Sequence, residues 1–86
     1  IMVIKLLAAE ADLSSASNVG NATLVRLYNG HSAALVVTRK NSGGTTIGSM
    51  TVLNGAVEVF EKVATDTLSV ASNGSSVKVA KIAFSK

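Results

Sequence analysis

The chain has no cysteine, no proline and no tryptophan, and Tyr28, Phe60 and Phe84 are its only aromatic residues. Each absence narrows what it can do. Without cysteine there are no disulfides and no thiolate zinc site. His31 is the sole histidine, so a histidine-rich metal site is excluded too. Scarce aromatics argue against sugar binding and against single strands of nucleic acid, whose bases stack on aromatic faces. Charge is also thin, at 15% of residues, against about 25% in an average soluble domain. No apolar run approaches the roughly 20 residues that a transmembrane helix needs. Residues 1–9 resemble a signal peptide only superficially. Lys5 interrupts the run and no basic segment precedes it, so this stretch reads as a strand.

What remains is aliphatic. The chain is 48% hydrophobic, built from Val, Leu, Ile and Ala, and its 86 residues allow one domain, 1–86. A domain this small buries only about 60–65% of the surface of its unfolded chain. With disulfides and metals excluded, a good core or partner subunits must supply the stability. The net charge is +3, but the eight Lys and Arg residues are spread along the chain. That distribution is a solubilising one and predicts no specific nucleic-acid partner and no membrane.

Turn signals cut the chain into pieces of similar length. Asn29-Gly30, Asn54-Gly55 and Asn73-Gly74 are Asn-Gly pairs, joined by Asn18-Val19-Gly20-Asn21 and Asn41-Ser42-Gly43-Gly44. Asn-Gly tolerates positive φ and suits the tight turns of antiparallel hairpins. Between the turns lie β-branched runs that predict strands at 2–8, 23–29, 32–40, 45–53, 56–63, 67–71 and 76–84. Residues 9–19 read as a loop. The expected fold is all-β: a small antiparallel β-sandwich, Ig-like or jelly-roll-like, of about seven short strands. An N-terminal strand and loop (1–22) precede a hairpin-rich core (23–86). In the last strand, Val77 and Val79 share one parity and Ala80, Ile82 and Phe84 the other. A β-bulge near 79–81 would reconcile them.

The alternation carries a functional hint. Strands of a one-sided sheet read apolar-in and polar-out. Here Ala33, Leu35 and Val37 oppose Ala34 and Val36, and Val57 and Val59 oppose Glu58 and Phe60. Strands apolar on both faces imply a second covering, and 86 residues leave little for a third layer. Leu35, Val37, Met50, Val52, Val57, Val59 and Phe60 are therefore the candidate interface residues.

Catalytic signatures are missing. His31 follows Asn29-Gly30 and reads as a solvated turn histidine, with no Gly-x-Ser-x-Gly elbow elsewhere. Glu58 and Glu61 have opposite parity on a strand, so they do not form a glycosidase pair, and both read as surface charges beside Lys62. Gly43-Gly44-Thr45-Thr46 lacks the lysine of a phosphate loop. Asn21-Ala22-Thr23 and Asn73-Gly74-Ser75 fit the N-glycosylation pattern, which chance supplies in so Asn- and Ser-rich a chain. Asp66, flanked by Thr65 and Thr67, predicts a tight corner held by side chain-to-backbone bonds. The chain is expected to be non-enzymatic, with no catalytic, cofactor-binding or metal-binding residues.

The segments Val25-Arg26-Leu27-Tyr28-Asn29, Ser32-Ala33-Ala34-Leu35-Val36-Val37-Thr38, Thr46-Ile47-Gly48-Ser49-Met50-Thr51-Val52, Val57-Glu58-Val59-Phe60-Glu61-Lys62 and Thr65-Asp66-Thr67-Leu68 form a pattern. It resembles small β-rich virion structural proteins of tailed, marine cyanophage-like bacteriophages, over roughly residues 23–84. The resemblance implies a virion component: a head decoration (cement) protein, or a small neck or tail subunit. Such a protein works as a homo-oligomer or on capsid or tail proteins, is assembled in the host cytoplasm, and needs no cofactor. The alternative is a carbohydrate- or host-surface-binding module of a tail appendage, using Tyr28, His31 and Arg39–Lys40 as a contact patch.

Overall fold

The computed structural model describes residues 3–85; residues 1, 2 and 86 lie outside that range, so the expected first strand is seen from Val3 onward. Eight strands form: β1 (Val3–Leu6), β2 (Ala11–Asp12), β3 (Leu24–Asn29), β4 (Leu35–Lys40), β5 (Thr46–Val52), β6 (Val57–Glu61), β7 (Thr67–Val70) and β8 (Val77–Ser85), with a 3-10 turn at Gly74–Ser76. All pairings are antiparallel. One sheet runs β1-β8-β3-β6, with β2 also on β8; the other runs β5-β4-β7. The all-β sandwich is therefore present, with one strand more than the alternation predicts. The addition, β2, falls in the expected loop, where Ala11 and Asp12 pair with Val79 and Lys78.

The strand order distinguishes the two sandwich alternatives. In an Ig-like sandwich the last two strands share a sheet. Here β7 and β8 lie in different sheets, and β8 sits between β1 and β3. That is jelly-roll connectivity, in which the chain crosses repeatedly between two sheets. The strand that a full jelly roll places beside β7 is reduced to one bridge, Ser17↔Leu68. All four residues of β1 are exposed.

The Asn-Gly pairs do not make hairpins. Among the described residues the one hairpin joins β4 to β5 through Asn41–Thr45, whose Asn41 Oδ1 accepts from the Gly43 and Thr45 N–H groups. Asn29-Gly30, Asn54-Gly55 and Asn73-Gly74 sit where the chain leaves one sheet for the other. Two of these glycines are needed for close approach. A Cβ on Gly30 would lie 2.7 Å from the Ser76 carbonyl oxygen, and one on Gly74 would lie 2.0 Å from that of Leu13.

The expected bulge at 79–81 is also absent. The β3–β8 register runs without a shift from Val25↔Lys81 to Asn29↔Val77. The parity switch arises because β8 is covered on both faces. Val77 and Val79 enter the core, while Ala80 and Ile82 point outward and are still buried. The irregularity lies on the neighbouring edge. There residues 7–10, between Leu6↔Ile82 and Ala11↔Val79, stand against Ala80 and Lys81 alone.

Leu13, Ala22, Val25, Leu27, Val37, Val52, Leu68, Val77 and Val79 make the core, drawn from both sheets and from the 13–22 segment. Asn29 locks one end. It is fully buried, its Nδ2 donates to the Ala33 and Val52 carbonyls at 3.1 and 3.0 Å, and its Oδ1 accepts from the His31 N–H at 2.9 Å. A buried amide satisfied this way ties the crossover after β3 to the end of β5.

Candidate functional site

The expected interface residues are not one surface. Val37 and Val52 are core residues of the chain itself, so neither offers a contact surface. Leu35 and Phe60 are half-buried and pack against that core. Each faces inward because it is paired with an inward neighbour: Leu35 with Val52, Phe60 with Val25. Met50, Val57 and Val59 are exposed, but they lie in two places.

The first place is the outer face of the five-stranded sheet. Directly paired residues share a face. Ile4 pairs with Phe84, Leu6 with Ile82, Arg26 with both Ala80 and Val59, and Tyr28 with Val57. Ile4, Leu6, Phe84, Val57 and Val59 are each between 40% and 72% exposed. Against this apolar surface stand two ion pairs, Arg26–Glu10 at 3.7 Å and Lys78–Asp12. A concavity of about 530 Å³ opens between Ile4, Leu6, Ala9, Arg26 and Ala80.

The second place is the side where the sandwich stays open. β5 and β6 are free edges of their sheets, and between them runs a groove of about 360 Å³. Ile47, Gly48 and Met50 form one wall and Phe60 and Glu61 the other, with Val37 and Leu68 at the floor. Ile47 and Met50 are 50% and 42% exposed. Six of the seven residues of β5 are exposed.

Charged groups near the groove are committed to structure. Lys62 is 3% exposed and Asp66 4%, which corrects the reading of Lys62 as a surface charge. The Lys62 ammonium donates to the carbonyls of Ala22, Val63 and Ala64 at 2.6, 3.4 and 3.2 Å. Burial lowers its pKa below the usual lysine range; nearby Asp66 pulls it back up and Arg39 pushes it down. The Asp66 carboxylate accepts from Arg39 Nε and Nη2 at 2.8 and 2.5 Å, both on one oxygen. Asp66 therefore holds a corner as expected, but its side chain bonds Arg39 rather than local backbone. The corner itself closes through the Asp66 N–H on the Val63 carbonyl at 2.9 Å.

The alternative contact patch is not assembled. His31 lies in the crossover before β4, while Arg39 and Lys40 end that strand. Among the described residues no three His, Asp or Glu side chains group as metal ligands. Comparison with known proteins gives no match: no family model fits the chain, and no curated protein and no solved structure is significantly similar to it.

Proposed function

We propose that this chain is a non-enzymatic structural subunit that works by assembly, in the setting of a tailed-phage virion. Within that setting it serves as a head decoration or cement subunit, or as a small neck or tail component. The observation that carries the reading is the outer face of the five-stranded sheet, where Ile4, Leu6 and Phe84 at the β1–β8 side and Val57 and Val59 on β6 are exposed to water on either side of Arg26 and Lys78. Large apolar side chains left exposed on one sheet face mark candidate interaction surfaces. Apolar area removed from water contributes about 25 cal/mol per Å², and a lattice repeats that gain at every copy. The molecule is 34 × 31 Å across its broad dimensions, enough for the roughly 800 Å² per partner of a standard interface. The jelly-roll order does not choose the function by itself, because capsid and lectin domains both use it.

The test is whether the chain is found at fixed copy number in gradient-purified intact particles, together with sedimentation velocity of the isolated protein. Self-association or stoichiometric incorporation supports the reading. A monomer at every concentration that is also absent from particles removes it.

A further inference from the structure

β5 is a sheet edge that nothing among the described residues covers. Exposed edges present unpaired N–H and C=O groups, and proteins blunt them with charge, proline, shortness or cover. The other edges follow that rule. β6 carries Glu58 and Glu61, β1 carries Lys5 within four residues, and β2 has two residues, one of them Asp12. β7 is bridged by Ser17, whose N–H and carbonyl both bond Leu68, at 3.0 and 2.9 Å. β5 is seven residues long, and no charged side chain occurs anywhere from 41 to 57. Its one irregularity, between Arg39/Lys40 and the start of β5, is at the hairpin end and leaves Gly48–Val52 in regular register with β4.

Gly48 adds an independent observation. Its φ is not positive and a Cβ built on it would touch nothing within 4 Å, so neither turn geometry nor packing within the chain calls for glycine. Glycine inside a strand marks a bulge or a place where another backbone comes close; the bulged residue here is Ile47, and Gly48 beside it stays paired with Arg39. Gly48 and Met50 share the groove-facing side, since they pair with Arg39 and Val37.

We propose that β5 pairs antiparallel with β5 of a second copy, about a two-fold axis at Ser49, the middle of the strand. This inference rests on the assembly reading above and names one partner for it. In that register Gly48 lies directly opposite the second copy's Met50, on the groove side. Each methionine occupies the space left by the other chain's glycine and caps the groove over Phe60 and Leu68. The two three-stranded sheets become one six-stranded sheet. A second copy fits this edge because an uncharged strand meets itself without repulsion, whereas β6 paired with itself would set two acidic strands side by side.

Three variants test it by sedimentation velocity from micromolar to millimolar concentration, with far-UV circular dichroism as the check on folding. Ser49→Lys places like charges opposite each other across the axis, on a residue already in water, and is expected to weaken self-association at least tenfold. Ser49→Cys supplies the only thiol in the chain. Directly opposed residues have Cβ atoms about 4.5–5.5 Å apart, close to disulfide reach, so mild oxidation is expected to give a covalent dimer. Val59→Lys, on the outer face that carries the assembly reading, is added to Ser49→Cys and is expected to leave the oxidised β5–β5 dimer unchanged, which separates the two surfaces. If Val59→Lys abolishes association while Ser49→Lys does not, the β5 inference is overturned and the assembly reading stands. A monomer that is nevertheless incorporated into particles has the same consequence. A monomer absent from particles overturns both.

Discussion

Two glycines, Gly74 and Gly48, show how differently the closed and open sides of this sandwich are determined. Gly74 is buried, with the backbone of Leu13 and Ser14 pressed against its Cα. Gly48 is exposed and nothing approaches it. On the closed side each residue answers to a neighbour in the same chain: Asn29 to three backbone groups, Lys62 to three carbonyls, Leu13 to the core. On the open side Gly48, Ser49 and Met50 pair with β4 alone. Where the fold of one chain explains a residue, its role is stability. Where it does not, the proposed pairing with a second copy supplies a reason.

The sharpest way to break this comparison is to add one methyl group to each glycine. Gly74→Ala forces a Cβ into the Leu13 carbonyl, and the 13–22 segment or the 3-10 turn has to move. Overpacking of this kind costs about 3 kcal/mol or more, and urea unfolding should show the loss directly. Asn29→Ala comes next. It strands the Ala33 and Val52 carbonyls and the His31 N–H, and unsatisfied buried groups cost about 1–3 kcal/mol each. A net loss of about 3 kcal/mol is expected, since His31 can turn to solvent. Gly48→Ala reverses the sign. Glycine in a strand is roughly 0.5–1 kcal/mol worse than alanine, so the isolated chain should gain about that much in the same urea experiment. If Gly48→Ala is instead as costly as Gly74→Ala, the open side is not open.

The comparison also explains what can be read in the sequence. Strand positions are legible because alternation is local: β3 through β8 each lie within a few residues of the expected runs. The all-β class follows from the same signal. What Asn-Gly means is not legible. Gly30 and Gly74 are demanded by Ser76 and Leu13, which are distant in sequence, and a local motif cannot distinguish a hairpin turn from a corner between sheets. For the same reason alternation finds apolar residues on both faces of a strand but does not sort them. Parity places Val37 and Val36 on opposite faces; only the second sheet decides that Val37 is core and Val36 is exposed. Lys62 gives no local signal at all. A lysine after Glu61 looks solvated until the 62–66 corner and Ala22 bring three carbonyls around it.

Lys62 supplies the smallest and most specific test of the closed side. Its ammonium is buried, and burial lowers its pKa below the ordinary 10.5. The unfolded chain therefore holds this proton at pH values where the folded chain has begun to release it. Where the unfolded state binds more protons, stability rises with pH. The Lys62 contribution should accordingly grow as the pH climbs through its lowered pKa toward 10.5, and level off above it. Other groups also titrate at alkaline pH, so the measurement is a difference. Unfolding free energy is compared between the native chain and Lys62→Met, which keeps the stem and removes the charge, at a series of alkaline pH values. The native chain is expected to gain on the variant as pH rises, by at most about 1.4 kcal/mol over each pH unit of that window. A flat difference would mean that the three carbonyls hold the ammonium charged as firmly in the fold as water does outside it.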